Sequence, residues 1–215
     1  MCKSVFRNIF FTLFIATQIV ASQKLAKVEL VEIQKINPAI ATDIIYATHK
    51  NFTGQIIYAS NKCYFLPEVA QALNKVQQEL KQKGLGLMIW DGYRPMSAQK
   101  KLWDVCAQKY PDEKERENYV SNPAKGGRHT RGTAADCTLI DLKTGQLLEM
   151  PTEFDHFGPE AWRDYNGPKL SLNAKMNREL LQTVMEKYGF KGLKSEWWHF
   201  DYHNWEQCPP LDIEL

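Results

Sequence analysis

Residues 128–141 have the sequence RHTRGTAADCTLID, in which a polar turn leads into a largely apolar segment. Residues 133–141 follow a glycine and are rich in apolar and β-branched side chains, which predicts a strand. Asp136 lies within this strand, and a carboxylate in an apolar strand must find a partner that offsets its desolvation. A salt bridge to Arg94 or Arg131 would satisfy Asp136, and so would a metal ion.

The remainder of the chain mixes helical and extended patterns. Helices are predicted over residues 66–84, 97–110 and 172–188, and strands over residues 85–90, 133–141, 146–150 and 196–202. Ser97 is expected to cap the second helix, and Met176 is expected on the buried face of the third. Because strands connect through hairpins such as the one at residues 143–145, we predict an α+β fold with a mainly antiparallel sheet flanked by helices. No linker rich in glycine, proline or serine divides residues 23–215, so a single domain is expected.

The first 22 residues have the features of a secretory signal peptide. Lys3 and Arg7 precede an apolar run at residues 9–16, and the small residues Ala21 and Ser22 offer a cleavage site. The run is shorter than the roughly 20 residues that span a bilayer, which disfavours an uncleaved anchor. We therefore predict cleavage after residue 22, a periplasmic or secreted location, and no stable membrane insertion afterwards.

Charge and cysteine content narrow the choice of partners. The chain has 27 basic and 25 acidic residues, and the predicted signal peptide contains two of the basic ones, so the mature domain is close to neutral. A domain without a basic patch is a poor partner for nucleic acid, and a small zwitterionic substrate fits better. Disulfides are permitted in an exported protein, and Cys63 and Cys208, which lie in loop-like surroundings, are the preferred pair.

The chain has only five histidines, so their positions are informative. His129 precedes Asp136 in the stretch quoted above, and His199 ends the stretch Glu196-Trp197-Trp198-His199. Two imidazoles and one carboxylate can hold zinc and leave a fourth position for water. Zinc lowers the pKa of this water, so that it loses a proton near neutral pH and becomes a nucleophile. Spacing alone also leaves open a role for His129 in an ordinary turn and a salt bridge for Asp136.

A site of this kind also needs a base, and Glu196 lies three residues before His199. Positions three apart in a regular strand face opposite sides, so the two side chains converge only at a bulge or a strand end. We therefore expect irregular backbone between Glu196 and His199.

Six motifs occur in order along nearly the whole mature chain. They are Tyr46-Ala47-Thr48, Asn51-Phe52-Thr53-Gly54, Trp90-Asp91-Gly92-Tyr93-Arg94-Pro95, His129-Thr130-Arg131-Gly132-Thr133-Ala134-Ala135-Asp136, Phe154-Asp155 and Glu196-Trp197-Trp198-His199. Together they resemble the VanX-type D-Ala-D-Ala dipeptidases, within the wider group of zinc D,D-peptidases. The resemblance implies a Hedgehog/D,D-peptidase-like fold over residues 23–215.

The same resemblance implies the catalytic machinery. His129, Asp136 and His199 would bind one zinc ion per chain, and Glu196 would be the general base that passes its proton to the leaving amine. Arg94 would stabilise the negative oxygen of the tetrahedral intermediate. An arginine suits this task because it stays charged at any working pH and offers a rigid fork of donors.

Two further positions match those that bind the ammonium group of the substrate, Tyr46 and Asp155. A carboxylate opposite a free amino terminus is electrostatically favourable. The family often has a serine two residues before the first histidine ligand, where this chain has Gly127. The missing hydroxyl leaves open how strictly a dipeptide is selected.

The resemblance therefore predicts hydrolysis of the dipeptide D-Ala-D-Ala. One alternative is a D,D-carboxypeptidase acting on peptidoglycan peptides, which the loss of the serine would favour. A second is a non-catalytic zinc or cell-wall binding module. Glu196 and Arg94 argue against that module, because neither is needed merely to hold a metal.

Overall fold

The computed structural model describes residues 28–215, so the predicted signal peptide lies outside the described residues. The strands are β1 (Val31–Glu32), β2 (Ala41–Thr42), β3 (Tyr64–Phe65), β4 (Leu85–Asp91), β5 (Ala134–Asp141), β6 (Phe190–Gly192) and β7 (His199–Tyr202). The helices are α1 (Ile33–Ile36), α2 (Pro67–Lys81), α3 (Met96–Lys109), α4 (Glu113–Arg116) and α5 (Leu172–Lys187). None of these helices combines the length and the apolar character that crossing a bilayer requires.

Five strands form one sheet in the order β2-β4-β5-β7-β6, and β1 pairs separately with β3. β2 runs parallel to β4, whereas every other pair of neighbouring strands is antiparallel. In the long central pair, Leu85 lies opposite Asp141 at one end and Asp91 lies opposite Asp136 at the other. These features confirm the predicted α+β fold with a mainly antiparallel sheet.

The two longest helices of the described residues, α2 and α5, pack on the sheet and on each other. α2 starts with Pro67, whose missing amide proton costs nothing in a first helical turn. In β5, Ala135, Cys137 and Leu139 belong to the hydrophobic core. Because neighbouring side chains in a strand point to opposite faces, Asp136 is directed away from that core.

Two details of the helices differ from prediction. Pro95 occupies the N-cap of α3, and the amide of Ser97 donates to Asp212 Oδ1 at 2.8 Å. A carboxylate of the C-terminal segment, and not Ser97, therefore satisfies this helix start. The predicted burial of Met176 is also wrong, because Met176 is 58% exposed. The buried residues of α5 are those at positions 174, 178, 181, 184 and 185, most of which lie on the side of the helix opposite Met176.

Two strand predictions are also corrected. The turn at residues 143–145 forms, with Gly145 at a φ of 72°, but only an isolated bridge between Ile140 and Leu147 follows it. β5 pairs with β4 along one edge and with β7 at residues 134–136 of the other edge, and the returning segment pairs only with the far end of that second edge. The last strand begins at His199, later than predicted, because turns precede it.

The four cysteines of the described residues are free, so the preferred pairing of Cys63 with Cys208 is wrong. Cys63 is buried against Gly92, where an added Cβ would lie 2.6 Å from its Sγ. Cys208 lies in the C-terminal segment, where its Sγ is 3.7 Å from the carbonyl oxygen of Asn204. The two thiols thus belong to different surroundings.

Candidate active site

Three elements bring the predicted metal ligands together at one end of the sheet. His129 lies in a 3-10 turn just before β5, Asp136 lies in β5, and His199 is the first residue of β7. Asp136 and His199 are direct cross-strand partners, so their side chains are neighbours on one face. All three residues are buried, and each can present a ligand atom within 4.8 Å of the other two.

The distances within this cluster suit a single ion. His129 Nε2 lies 3.2 Å from His199 Nδ1 and 3.3 Å from Asp136 Oδ2, and His199 Nδ1 lies 2.9 Å from Asp136 Oδ1. Burial opposes the ionisation of Asp136, but the adjacent His129 and His199 outweigh it and hold the pKa of this carboxyl below its usual value. The acid is therefore available as an anionic ligand.

The outward nitrogens of both rings are also satisfied. His129 Nδ1 lies 2.8 Å from the carbonyl oxygen of Gly92, and His199 Nε2 lies 3.0 Å from Asp201 Oδ1. Since these oxygens accept, the outward nitrogens donate, so the neutral form of each ring would turn a lone pair, on His129 Nε2 and on His199 Nδ1, toward the cluster. Metal-binding histidines have this arrangement of outer partners. Two nitrogens and one carboxylate match the donor set of a catalytic zinc site, so the residues present fit that ion.

Glu196 lies in the turn before β7, and the predicted irregular backbone is confirmed there. The Glu196 amide donates to the carbonyl oxygen of Leu193 at 3.4 Å. The His199 amide donates to the carbonyl oxygen of Glu196, also at 3.4 Å. Glu196 Oε2 lies 3.9 Å from His199 Nδ1, at the edge of the ligand cluster. Burial, together with the negative charge of Asp136, raises the pKa of this carboxyl despite the opposing effect of His199.

Arg94 lies in the loop between β4 and α3 and is held by three side chains. Its guanidinium donates to Asp91 Oδ2 at 2.5 Å, to Gln99 Oε1 at 2.8 Å and to the Tyr58 hydroxyl at 3.1 Å. Its amide donates to the carbonyl oxygen of His129 at 3.2 Å, which joins its loop to the first of the predicted metal ligands. The predicted alternative, a salt bridge from Arg94 to Asp136, is not formed, because Asp91 takes that place.

Tyr46 and Asp155, the predicted ammonium-binding residues, contact each other. The Tyr46 hydroxyl donates to the carboxylate of Asp155, with 3.1 Å to Oδ2. Asp155 has a φ of 59° and is the only residue other than glycine with a positive φ among residues 28–215. Burial, and then the negative charge of Asp136, raise the pKa of Asp155 well above its usual value. Strained and destabilised acids of this kind cluster at functional sites.

One cleft of about 600 Å³ joins these groups, a volume common for small-ligand sites. All seven predicted site residues line this cleft, namely His129, Asp136, His199, Glu196, Arg94, Tyr46 and Asp155. Gly127 lines it too, without a hydroxyl. The structure thus brings together residues that span more than half of the chain.

Sequence reasoning missed the groups that support these residues. Asp201 stands behind His199, and Arg128 forms an ion pair with Asp201. The signal for Asp201 was present, because residues two apart in a strand share a face. Asp91 and Tyr58, which are joined by a hydrogen bond of 2.6 Å, gave no such signal, because their partnership depends on how distant segments pack.

The α+β fold and a buried His/Asp/His cluster beside a carboxylate in a cleft together define a metal-dependent hydrolase site. Sequence comparison identifies the family more closely. A family model described as D-Ala-D-Ala dipeptidase, Peptidase M15, matches residues 26–207. The chain belongs to this family of peptidases, which confirms the resemblance noted in the sequence.

Curated relatives agree with this membership. The chain is 38% identical over 173 residues to a D-alanyl-D-alanine dipeptidase of Escherichia coli (strain K12), covering 80% of this chain and 84% of the relative. It is 34% identical over 182 residues to a D-alanyl-D-alanine dipeptidase of Enterococcus faecium, covering 78% of this chain and 88% of the relative. A solved structure of the vancomycin resistance D,D-dipeptidase VanXYg is only remotely similar, with 20% identity, a TM-score of 0.43, and coverage of 66% of this chain and 51% of that chain.

Proposed function

We propose that this chain hydrolyses the dipeptide D-Ala-D-Ala with one zinc ion held by His129, Asp136 and His199. The observation that carries the proposal is the buried His/Asp/His cluster with Glu196 Oε2 at 3.9 Å from His199 Nδ1. Membership of the dipeptidase family supports the choice of substrate. When bound, zinc would polarise the scissile carbonyl and acidify an attacking water.

Glu196 acts as the general base in this proposal. It takes a proton from the attacking water and passes it to the amine that leaves. A raised pKa brings a carboxyl closer to the working pH, which is favourable for a group that both accepts and returns a proton. Its side chain is about one-quarter exposed, so it can reach a substrate in the cleft.

Arg94 stabilises the developing negative oxygen. Its guanidinium has five N–H donors, of which Asp91, Gln99 and Tyr58 use one each. One N–H remains on each terminal nitrogen for the substrate. Three fixed partners hold the guanidinium in place before the reaction starts, which is the condition for efficient stabilisation of a transition state.

Tyr46 and Asp155 bind the ammonium group of the substrate. The pKa of Asp155 is raised because its carboxyl is buried and no cation lies close enough to offset the effect of that burial. A substrate ammonium would supply that cation and form a charge-assisted hydrogen bond with it.

The direct test measures D-alanine release from D-Ala-D-Ala by purified protein loaded with zinc. We expect turnover that disappears when a chelator removes the metal and returns when zinc is restored. Absence of D-alanine release from fully metallated, folded protein would refute the proposed function.

A D,D-carboxypeptidase is the second candidate, because Gly127 lines the cleft where the family resemblance leads us to expect the hydroxyl of a serine. The test compares D-Ala-D-Ala with an N-acylated tripeptide that ends in D-Ala-D-Ala. A dipeptidase that uses Asp155 to bind the free amine should reject the acylated peptide. Faster cleavage of the acylated peptide would favour the carboxypeptidase.

We also propose that residues 1–22 are a cleaved signal peptide and that the enzyme works in the periplasm or outside the cell. The charged start, the apolar run and the small residues at its end support this. The mass of the protein recovered from the periplasm or medium of expressing cells should correspond to a chain that starts at residue 23. Recovery of the uncleaved chain from the cytoplasm alone would contradict it.

A further inference from the structure

The residues discussed so far would bind only one of the two charged groups of the proposed substrate. A free dipeptide carries an ammonium group at one end and a carboxylate at the other. Tyr46 and Asp155 would bind the ammonium group, but none of the residues discussed so far would bind the carboxylate. The cleft is also lined by Asp136, Asp155, Glu196 and Glu117, whose negative charges would repel an unpaired carboxylate. A cation is therefore needed.

We propose that Arg128 binds the C-terminal carboxylate of the dipeptide, an inference that rests on the proposed function. Among the described residues, Arg94 and Arg128 are the arginine or lysine side chains that line the cleft. Arg94 is held by three partners and is needed at the reacting carbonyl. Arg128 is the cation that remains.

The contacts of Arg128 leave it free to bind an anion. Its side chain is 35% exposed, and the hydrogen bond it makes within residues 28–215 runs from one terminal nitrogen to Asp201. Its guanidinium lies over the ring of Trp205, 4.8 Å from the centroid. A cation stacked on an indole and paired with a buried carboxylate is fixed in orientation, while its remaining N–H groups stay available for a second carboxylate.

The position of Arg128 fits the length of a dipeptide. The terminal carboxylate lies one residue beyond the scissile bond, so its partner must stand close to the metal cluster. Arg128 adjoins His129 in sequence, and its partner Asp201 binds the ring of His199. A substrate extended by a further residue would carry its carboxylate past this point, so Arg128 would select chains that end one residue after the cut.

The experiment compares two substrates, D-Ala-D-Ala and its C-terminal amide, in wild type and in Arg128→Ala. We expect wild type to prefer the free acid by about 10- to 50-fold in kcat/KM, mainly through KM, as for loss of a hydrogen bond between charged groups. Arg128→Ala should lose about the same factor on the acid and little on the amide, so that the two substrates become nearly equal. Lys83→Ala, which removes an exposed charge outside the cleft, is the matched control and should keep the preference.

A structural role for Arg128, acting through Asp201 and His199, makes a different prediction. In that case Arg128→Ala would lower turnover of both substrates by the same factor, and zinc content would fall as well; this result would overturn the inference. Wild type that cleaves the acid and the amide equally would overturn the inference alone, whereas wild type that cleaves neither would overturn the proposed function with it.

Discussion

The ion pair between Asp91 and Arg94 should contribute strongly to both stability and catalysis. Asp91 has no exposed surface and Arg94 is 7% exposed. Asp91 accepts one hydrogen bond from Arg94 at 2.5 Å and one from the Tyr58 hydroxyl at 2.6 Å. Asp91→Asn keeps the shape of the side chain and removes its charge, which leaves the buried guanidinium without compensation.

Removing one partner of a buried ion pair typically costs about 3–5 kcal/mol. We expect the lower end of this range, because Gln99 and Tyr58 still contact Arg94 and the asparagine oxygen can still accept a hydrogen bond. A loss of about 3 kcal/mol corresponds to a fall of about 6–12 °C in Tm for a domain of this size. Turnover should also fall by about tenfold or more, because Arg94 loses the contact that orients it toward the substrate.

Thermal unfolding and kcat on D-Ala-D-Ala measure the two effects. Asp104→Asn is the matched control, because Asp104 pairs with Lys100 at 2.6 Å while both side chains are more than half exposed. Exposed pairs of this kind contribute about 0–1 kcal/mol, so its Tm should stay within about 4 °C of wild type. An Asp91→Asn protein with the Tm and turnover of the Asp104→Asn control would refute the reasoning.

Three further predictions concern single side chains. Glu196→Gln should retain zinc but lose about 10²–10⁴ in kcat, as for removal of a general base; wild-type turnover in the zinc-loaded variant would remove that assignment. Asp155→Asn should raise KM for the dipeptide and also raise Tm at pH 7. Burial raises the pKa of the folded Asp155 carboxyl, so its ionisation above the unfolded pKa of about 3.9 destabilises the fold, and the gain in Tm should vanish as the pH falls to about 4. A Tm difference that is the same at both pH values would contradict this. Asp212→Ala should cost about 1 kcal/mol in urea unfolding, because the amide of Ser97 loses its acceptor at the start of α3; an unchanged unfolding midpoint would show that this contact does not stabilise the helix.

The success of the sequence analysis follows from the residue types involved. Residue types made His129, Asp136 and His199 candidates, because a few histidines and a carboxylate in an apolar strand have a limited choice of roles, and the resemblance to the dipeptidase family favoured metal binding over a turn or a salt bridge. The irregular backbone at Glu196 followed from the geometry of strands, which places residues three apart on opposite faces. Both inferences use local rules that hold before any packing is known.

The misses concern choices between equivalent partners. Arg94 pairs with Asp91, three residues before it, and the sequence analysis considered Asp136 instead, because an irregular loop has no fixed spacing from which such a contact can be derived. The C-terminal segment likewise supplies Asp212 to α3, a contact between residues 115 positions apart. Met176 was misplaced because the sequence pattern of α5 contains more apolar residues than its buried side can hold.

Zinc stoichiometry is the measurement that tests the central claim most directly. We expect one zinc ion per chain by atomic absorption after dialysis, and a loss of that ion in Asp136→Ala and in His199→Ala. His49→Ala, which removes an exposed histidine, should still bind one ion. Retention of a full equivalent of zinc by folded Asp136→Ala and His199→Ala proteins would contradict the claim that these residues hold the catalytic metal.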